Sequence, residues 1–316
     1  MVVFNLSHNN YQTLLHNLAG ELKVLPENNS IKIPNNIGNG IIKSIQLPNG
    51  LQLLMLKICF NKDVLIKSGN INEGDYVLNF DEIETDKPDK KKANSFVRLT
   101  GSAFNHWELI KKKSCATYVK ILFSKHWLSN YTGLGQKISL FEKYIPIKSE
   151  AAETEKLNED YRKIINEMWN ADNNEFLQNI FYQNRVSLLI EQFFTRMHAE
   201  LLNPKGKYKL TTEDVEILKK IEAKLNTFTA TPPNIEQLAK KYEMSKIRLT
   251  QAFKQVYGIS IYNYYQKQRM QKAHELLSTQ KISVKQAAEK LGYNNLSNFI
   301  LAFKKQFKTD PKSFMG

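Results

Sequence analysis

Apolar and polar positions alternate along the first third of the chain in short runs that are typical of β-strands. Two such runs, residues 41–47 and 51–60, flank Pro48-Asn49-Gly50. An Asn-Gly pair between apolar runs predicts a hairpin, because both turn positions need a positive φ. Further strands are predicted at 64–67, 76–80, 96–100 and 117–123. Short strands at this spacing predict a β-rich, barrel-like domain.

The pattern becomes helical after residue 124. One helix is predicted over residues 125–131 and two or three within 151–202, in addition to an early helix over 9–22. The Pro- and Gly-containing segment 203–207 predicts a linker. The chain is therefore expected to be α+β, with a β-rich sensor or regulatory domain (1–145), a helical connector suited to dimerisation (146–207) and an all-α domain (208–316).

The all-α domain contains an internal repeat. Ala252-Phe253-Lys254 recurs fifty residues later as Ala302-Phe303-Lys304, and Leu238-Ala239 recurs loosely as Ala287-Ala288. Each copy predicts a short helix, a tight turn and a longer helix, which is the helix-turn-helix arrangement. The turns are expected at residues 242–244 and at Gly292.

Capping residues support the helix boundaries in both copies. Ser283 and Gln286 fit a capping box. Ser245 begins the longer helix of copy one, and Asn294 or Asn295 begins that of copy two. An amphipathic helix capped by Thr211 or Thr212 precedes the first copy. Between the copies, residues 260–277 predict a rod of about 27 Å, which would hold two helices about one DNA turn apart.

The longer helix of copy one has two distinct faces at about 100° per residue. The face expected to pack inward consists of Leu249, Ala252, Phe253 and Val256. The opposite face consists of Ile247, Thr250, Gln251 and Lys254. Two hydrogen-bonding side chains and a cation are what a helix in a DNA major groove should present.

Charge points to the same region. The chain has 45 Lys and Arg against 31 Asp and Glu, a net charge of +14, and residues 208–316 alone carry +10. This excess favours a polyanionic partner, nucleic acid first and an anionic membrane surface second. No run of about 18 apolar residues predicts a membrane span, and the first residues do not resemble a signal peptide.

The two cysteines are far apart in sequence, which predicts no disulfide and fits a reducing cytoplasm. Cys59 lies between apolar residues and is expected in the core. Cys115 follows three lysines and has no nearby base in the sequence.

Residues 208–316 resemble the DNA-binding domain of the AraC/XylS transcriptional regulators. The resembling residues are Leu238-Ala239, Met244-Ser245, Leu249, Phe253-Lys254, Tyr257-Gly258-Ile259-Ser260, Tyr264, Arg269, Ala273, Leu276-Leu277, Ala288, Leu291-Gly292-Tyr293, Ser297, Phe299, Ala302-Phe303-Lys304-Lys305, Phe307 and Pro311. The resemblance covers about a third of the chain. It implies two helix-turn-helix units joined by a long helix, and control of transcription at promoters.

The resemblance also assigns site residues. Ile247, Thr250 and Gln251 are expected to face bases in the first unit, and Ser297, Ile300 and Leu301 in the second. The residues expected at the DNA backbone are Ser245, Arg248, Lys254, Asn298, Lys304 and Lys305. Arg269 is expected to be structural. Lys308 stands where the family usually has glycine.

Enzyme signatures are not found in the sequence. No phosphate-binding glycine loop is present, and the six histidines have no metal-ligand spacing, so neither a cofactor nor a metal is expected. Two other hypotheses remain open. One is a DNA-tethered enzyme with a β-barrel catalytic domain, which converging His, Cys or carboxylate side chains inside the barrel would favour. The other is architectural DNA binding without sequence preference.

The sequence is thus interpreted as a bacterial one-component transcription regulator of the cytoplasm. Its expected partner is promoter double-stranded DNA. RNA polymerase, a small-molecule effector and a second copy of the chain are further candidate partners, and no membrane is expected.

Overall fold

The computed structural model divides by contacts into two compact units, Met1–Leu201 and Leu202–Gly316. The structure describes residues 2–69, 71–85, 92–102, 104–131, 144–145, 149, 155–171, 175–202, 210–227, 231–279, 282–307 and 309–314. The predicted linker at 203–207 and Lys308 lie outside these residues. The α+β class is confirmed, with a β-rich first unit and a helical second unit. The boundary at residue 145 stays a prediction, and the helices beyond it belong to the first unit.

The described part of the first unit contains ten strands in two sheets. The strands are β1 Val2–Asn5, β2 Ser30–Lys32, β3 Gly38–Gln46, β4 Gln52–Phe60, β5 Val64–Gly69, β6 Asp75–Thr85, β7 Lys92–Thr100, β8 Asn105–Ile110, β9 Ser114–Ser124 and β10 Glu155–Lys156. Seven pair in the order β10-β7-β6-β9-β4-β3-β2, and three in the order β1-β5-β8. Among the described strands, the sheets stay open, so the expected barrel is barrel-like only in a loose sense.

The predicted hairpin is present between β3 and β4. Gln46 pairs with Gln52 at its closed end. The turn uses left-handed backbone at Asn49 (φ 68°) and Gly50 (φ 80°), as the Asn-Gly signal required. The other four predicted strands are present as β5, β6, β7 and β9. Four strands, β1, β2, β8 and β10, were not predicted, because their short or mixed polar runs give no clear alternation.

The hydrophobic core of the first unit lies between the two sheets and helix α1 (Tyr11–Leu22). The other face of the larger sheet is covered by helices α3 (Glu159–Trp169) and α4 (Glu175–Leu202), and α2 (Lys125–Tyr131) follows β9. Phe80 of β6 packs there against Tyr161, with ring centroids 5.1 Å apart. The helices predicted over 9–22, 125–131 and 151–202 are thus confirmed.

The prediction for the cysteines was wrong. Cys59 of β4 and Cys115 of β9 are direct cross-strand partners and form a disulfide. Cys59 is exposed and not in the core, and Cys115 is half-buried. The sequence separation of 56 residues hid the contact, because only the pairing of β4 with β9 brings the two thiols together.

The second unit contains six α-helices and a short 3₁₀ helix, Pro311–Phe314, in its described residues. The α-helices are α5 Thr212–Asn226, α6 Ile235–Lys241, α7 Lys246–Tyr257, α8 Ile261–Thr279, α9 Val284–Lys290 and α10 Leu296–Phe307. This is the predicted order, with α8 as the long joining helix, about 28 Å at 1.5 Å per residue. No helix among the described residues of the chain is both long and apolar enough to cross a bilayer.

The cap positions of the second unit are now assigned. Thr211, and not Thr212, caps α5. Asn295 accepts hydrogen bonds from the backbone amides of Ser297 and Asn298 and so caps α10. At α9, the predicted capping box is present: the Ser283 hydroxyl accepts from the Gln286 amide, and the Gln286 side chain accepts from the Ser283 amide.

Replacing Ser283 with alanine should lower the free energy of unfolding by about 1 kcal/mol, because the first turn of α9 loses the acceptor for an amide that the helix cannot satisfy. Urea denaturation of the full chain measures this. Lys285→Ala, an exposed change in the same turn, is the control and should stay within about 0.5 kcal/mol. Equal midpoints for Ser283→Ala and the parent would contradict the prediction.

Candidate nucleic-acid interface

The first helix-turn-helix unit consists of α6, a tight turn and α7. Leu238 and Ala239 form the buried face of α6. The turn passes through Glu243, whose φ of 52° is left-handed, and the Met244 amide donates to the Ala239 carbonyl at 3.0 Å. This bond closes the end of α6 and lets α7 begin at once, with Ser245 as its cap.

The second helix-turn-helix unit, which consists of α9, its turn and α10, repeats this turn forty-nine residues later. Gly292 has a φ of 72°, and the Tyr293 amide donates to the Ala288 carbonyl at 2.9 Å. The two copies therefore share the left-handed residue and the hydrogen bond that makes the turn. In copy one the left-handed position holds glutamate, which costs about 1 kcal/mol relative to glycine.

The buried face of α7 agrees with the angular prediction, and α10 has a corresponding buried face. On α7 the buried residues are Leu249, Ala252, Phe253, Val256 and Tyr257. On α10 they are Phe299, Phe303 and Phe307. Both faces pack on aromatic neighbours: Phe253 lies 5.6 Å from Tyr264 of α8, between ring centroids, and Tyr293 lies 5.4 Å from Phe299.

Arg269 of α8 is structural, as predicted. Only 5% of it is exposed. Its Nε donates to the Leu291 carbonyl at 2.7 Å, immediately before the Gly292 turn. Its guanidinium lies 3.8 Å from the Tyr293 ring centroid and 5.7 Å from that of Tyr265. The joining helix is thereby fixed to the turn of the second unit.

The predicted base-facing residues of the first unit lie on the outer face of α7. Ile247 is 63% exposed, and Gln251 is also exposed. The hydroxyl of Thr250 donates to the carbonyls of Lys246 and Ile247, so it can still accept a hydrogen bond from outside. Lys254 is exposed one turn further along.

In the second helix-turn-helix unit, Ile300 and Leu301 differ in burial, although both were predicted to face bases. Ser297 is exposed, and Leu301 is 66% exposed. Ile300 is half-buried and packs against the core formed by α8, α9 and α10. The helix is thus rotated slightly from the expected orientation, and Leu301 is the outward apolar residue of this pair.

The residues predicted to contact the DNA backbone have different surroundings. Asn298 and Lys305 are exposed. Ser245 accepts the Arg248 amide as helix cap. Lys304 forms an ion pair with Asp310 at 2.9 Å, and this hydrogen bond lowers the pKa of the Asp310 carboxyl.

Arg248 is held by a carboxylate that the sequence analysis did not single out. Its Nη2 lies 2.8 Å from Oδ2 of Asp214, and its Nε lies 3.2 Å from Oδ1. Asp214 also accepts from Thr211 in the capping box of α5. The ion pair therefore connects the start of α5 to the start of α7. The phosphate role of Arg248 stays a prediction.

Burial alone would raise the pKa of Asp214, but hydrogen bonds from Arg248 and Thr211 outweigh it and hold the pKa below its ordinary value of 3.8. A carboxyl whose pKa is lower in the folded chain stabilises the fold at pH values above its unfolded pKa. The stabilisation is lost as the pH falls through the folded pKa.

The interior of the β-rich unit, residues 1–201, contains a cluster of buried polar and charged side chains. Arg98 pairs with Asp81 at 2.8 Å, and Lys120 donates to Asn79 at 2.7 Å. Tyr118 donates to Glu108 at 3.2 Å. Burial lowers the pKa of the Lys120 ammonium and raises that of the Glu108 carboxyl.

A cavity next to Lys120 and Asn79 has a volume of about 20 Å³, room for roughly one water. No group of three or more His, Cys, Asp or Glu side chains suited to a metal occurs among the residues that the structure describes.

Comparison with known proteins assigns the C-terminal helical unit, which contains both helix-turn-helix units. A family described as "Helix-turn-helix domain" matches residues 238–316, which span both turns described above. Over 92 residues the chain is 30% identical to the HTH-type transcriptional regulator AlkR of Acinetobacter baylyi, covering 29% of this chain and 30% of that protein. The last third of the chain is an AraC-family DNA-binding domain.

Two further relatives of the AraC-family domain are known. The regulatory protein PchR of Pseudomonas aeruginosa is 28% identical over 92 residues, covering 28% of this chain and 31% of that protein. The crystal structure of a probable AraC family transcriptional regulator from Rhodopseudomonas palustris is 26% identical, with a TM-score of 0.29, and covers 33% of this chain and 95% of that one. The chain spans about 30% of the length of the curated relatives AlkR and PchR.

Within the AraC-family domain, Asp214→Asn should lower the free energy of unfolding by about 1–2 kcal/mol at pH 7, because Arg248 loses a charged acceptor. The difference from the parent should begin to shrink as the pH falls below the unfolded pKa of about 4, and it should disappear only below the lower folded pKa, where the carboxyl of the folded parent is also protonated. Urea unfolding of both chains at pH 7 and at pH 3 measures this.

Glu213→Gln is the matched control, since Glu213 is an exposed carboxylate in the same first turn. It should cost only a few tenths of a kcal/mol through the helix dipole. A deficit in Asp214→Asn that is the same at both pH values would show that the ion pair is not its source.

Proposed function

We propose that the protein is a one-component transcription regulator of the bacterial cytoplasm, in which the AraC-family domain binds promoter DNA sequence-specifically and the β-rich unit provides the regulatory input. The observation that carries the proposal is the pair of equivalent turns. They present α7 and α10 with polar and cationic residues outward, in the part of the chain that carries a net charge of +10. A helix-turn-helix unit places its second helix in the major groove.

In this proposal, the first helix-turn-helix unit (α6 and α7) supplies most of the sequence specificity. Gln251 can pair with adenine through two hydrogen bonds, and Thr250 can accept one from a base or a water. Ile247 adds apolar contact beside them. Lys254 and Ser245 contact the phosphate backbone and set the position of α7.

The second helix-turn-helix unit (α9 and α10) is proposed to bind DNA with less sequence specificity. Ser297, Asn298, Lys304 and Lys305 anchor α10 on the backbone. Leu301 contacts a thymine methyl group, which discriminates only modestly. Ile300 contributes less to base contact than the sequence predicted, because it also packs on the core.

The interior of the β-rich unit gives little support to a sensing role, whereas an open groove of about 910 Å³ lined by α3 and α4, with Arg162, Phe181 and Arg185 among its residues, is large enough for a small molecule. A drug-sized ligand needs a cavity of about 300–1,000 Å³, and the interior cavity next to Lys120 holds about 20 Å³. An effector that entered there would have to displace the contacts of the buried charge cluster, which is one way of coupling its binding to a change in the sheet.

The competing proposal is a DNA-tethered enzyme. Carboxylates do converge inside the unit, but Asp81 is paired with Arg98, and Glu108 accepts from Tyr118. These contacts favour a structural cluster over a general acid or base, and the regulators that share this domain are generally not enzymes. We therefore propose no catalytic activity.

RNA polymerase and a second copy of the chain complete the proposed partners. For self-association, the support lies on α4. Leu177, Ile180 and Leu188 are all more than 40% exposed and recur at helical spacing on one side of this 28-residue helix.

The salt dependence of binding tests the proposal. If about 5 phosphates are neutralised, the logarithm of the DNA affinity should fall against the logarithm of the salt concentration with a slope of about −4 to −5. Fluorescence anisotropy of the full chain with labelled duplexes at several salt concentrations measures the slope. A slope near zero would reject DNA binding. Equal affinity for promoter and scrambled duplexes would favour architectural binding.

Replacing Gln251 with alanine should cost about 1–3 kcal/mol at one base position, because the bidentate contact with adenine is lost. Selection of bound sequences from a random pool should show the preference flattened at that position only. Lys254→Ala is the control and should weaken binding to all sequences about equally. A uniform loss in Gln251→Ala would mean that this side chain contacts only the DNA backbone.

A further inference from the structure

The Cys59–Cys115 disulfide lies at the solvent-exposed end of the larger sheet. The two residues are direct partners across β4 and β9, with Cα atoms 3.9 Å apart. Cys59 is exposed and Cys115 is half-buried. A small-molecule oxidant or a reducing thiol can therefore reach this bond from solvent, since accessibility is one of the factors that control thiol–disulfide exchange.

The bond is not what holds these strands together. β4 and β9 are central strands of the sheet and are paired from Gln52–Leu122 through to the cysteines. Residues of both strands, Leu54, Leu56, Ile58, Tyr118 and Leu122, are buried in the same core. The ladder and the core thus place the two thiols side by side whether or not the sulfur atoms are bonded.

The charges around the two thiols differ. Lys57 precedes Cys59 by two residues on β4, so both side chains lie on the same face, and Lys57 is exposed. Cys115 has Glu84 of β6 as its other cross-strand partner. A nearby cation stabilises a thiolate and a nearby carboxylate destabilises one. Lys111, Lys112 and Lys113 come shortly before Cys115, so cations are near both thiols and do not distinguish them. The greater exposure of Cys59, together with the Glu84 carboxylate beside Cys115, selects Cys59 as the nucleophile.

We propose that Cys59 and Cys115 form a reversible oxidation site for hydroperoxides, with Cys59 as the attacking thiolate and Cys115 as the resolving thiol. The reversibility rests in part on the proposed function, because cytoplasmic disulfides are usually transient, catalytic or redox-sensing. The thiol geometry and the assignment of Cys59 do not depend on DNA binding.

The chemistry balances with the reagents named. The Cys59 thiolate attacks one oxygen of the hydroperoxide, the O–O bond breaks, and Cys59 becomes a sulfenic acid while water or an alcohol leaves. The Cys115 thiol then attacks the Cys59 sulfur, the disulfide forms and a second water leaves. A dithiol reductant reverses the reaction through a mixed disulfide, and it is oxidised as the two cysteines are reduced.

Intact-mass spectrometry of the purified full chain tests the proposal without DNA. Dithiothreitol under native conditions should give two free thiols, and stoichiometric hydrogen peroxide should then remove two hydrogens and leave a monomeric chain. A bond that resists dithiothreitol until the chain is unfolded would show a purely structural disulfide. A reduced chain that yields only sulfinic acid or intermolecular disulfides would also overturn the proposal.

Single variants test the division of roles. With peroxide and dimedone, Cys115→Ser should accumulate the dimedone adduct at Cys59 about tenfold faster than Cys59→Ser does at Cys115, because Cys59 is the more exposed thiol and Cys115 is paired with Glu84. Lys57→Gln in the Cys115→Ser chain should slow labelling severalfold. Lys62→Gln, in the turn after β4, is the matched control and should not. Equal labelling of the two cysteines would refute the assignment of Cys59.

Discussion

The arrangement of the second helix-turn-helix unit depends on the contacts that the guanidinium of Arg269 makes at its turn. A left-handed turn leaves the last carbonyls of the preceding helix without helical partners, and Arg269 supplies a charged donor to one of them, that of Leu291. Its positive charge is buried against the faces of Tyr265 and Tyr293, where cation–π attraction offsets part of the lost hydration. Because the same side chain belongs to α8, the position of α10 follows from the position of the joining helix.

The first helix-turn-helix unit is held in position by other contacts, which come from helix α5. The Asp214–Arg248 pair connects the starts of α5 and α7, and the Tyr257 hydroxyl donates to the Leu218 carbonyl of α5. Here the extra helix α5 provides the support, whereas α8 provides it in the second unit. The two copies share their turn geometry and differ in what holds them, so a substitution at equivalent positions need not have equivalent effects.

Features with local causes could be predicted from the sequence. The Asn49-Gly50 turn, the Ser283 capping box and the buried face around Phe253 each depend on residues within one turn or one helix. Features that depend on topology could not. Cys59 and Cys115 meet only because β4 pairs with β9, and Asp214 meets Arg248 across 34 residues. The interior ion pair of Asp81 and Arg98 was equally hidden, since alternation marks which face a residue lies on and not which partner it finds.

The contrast between Ile300 and Leu301 shows how far an angular argument extends. Successive residues differ by about 100° around a helix, so a small rotation of α10 moves one of two neighbours toward the core and leaves the other outside. The aromatic stack of Phe299, Phe303 and Phe307 fixes that rotation, with ring centroids 4.6 Å apart between Phe303 and Phe307. Ile300 is thereby drawn against the core and Leu301 is left in solvent. An exposed leucine offers no directional hydrogen bond, so the packing of the phenylalanines also limits how sharply the second unit can distinguish one base pair from another.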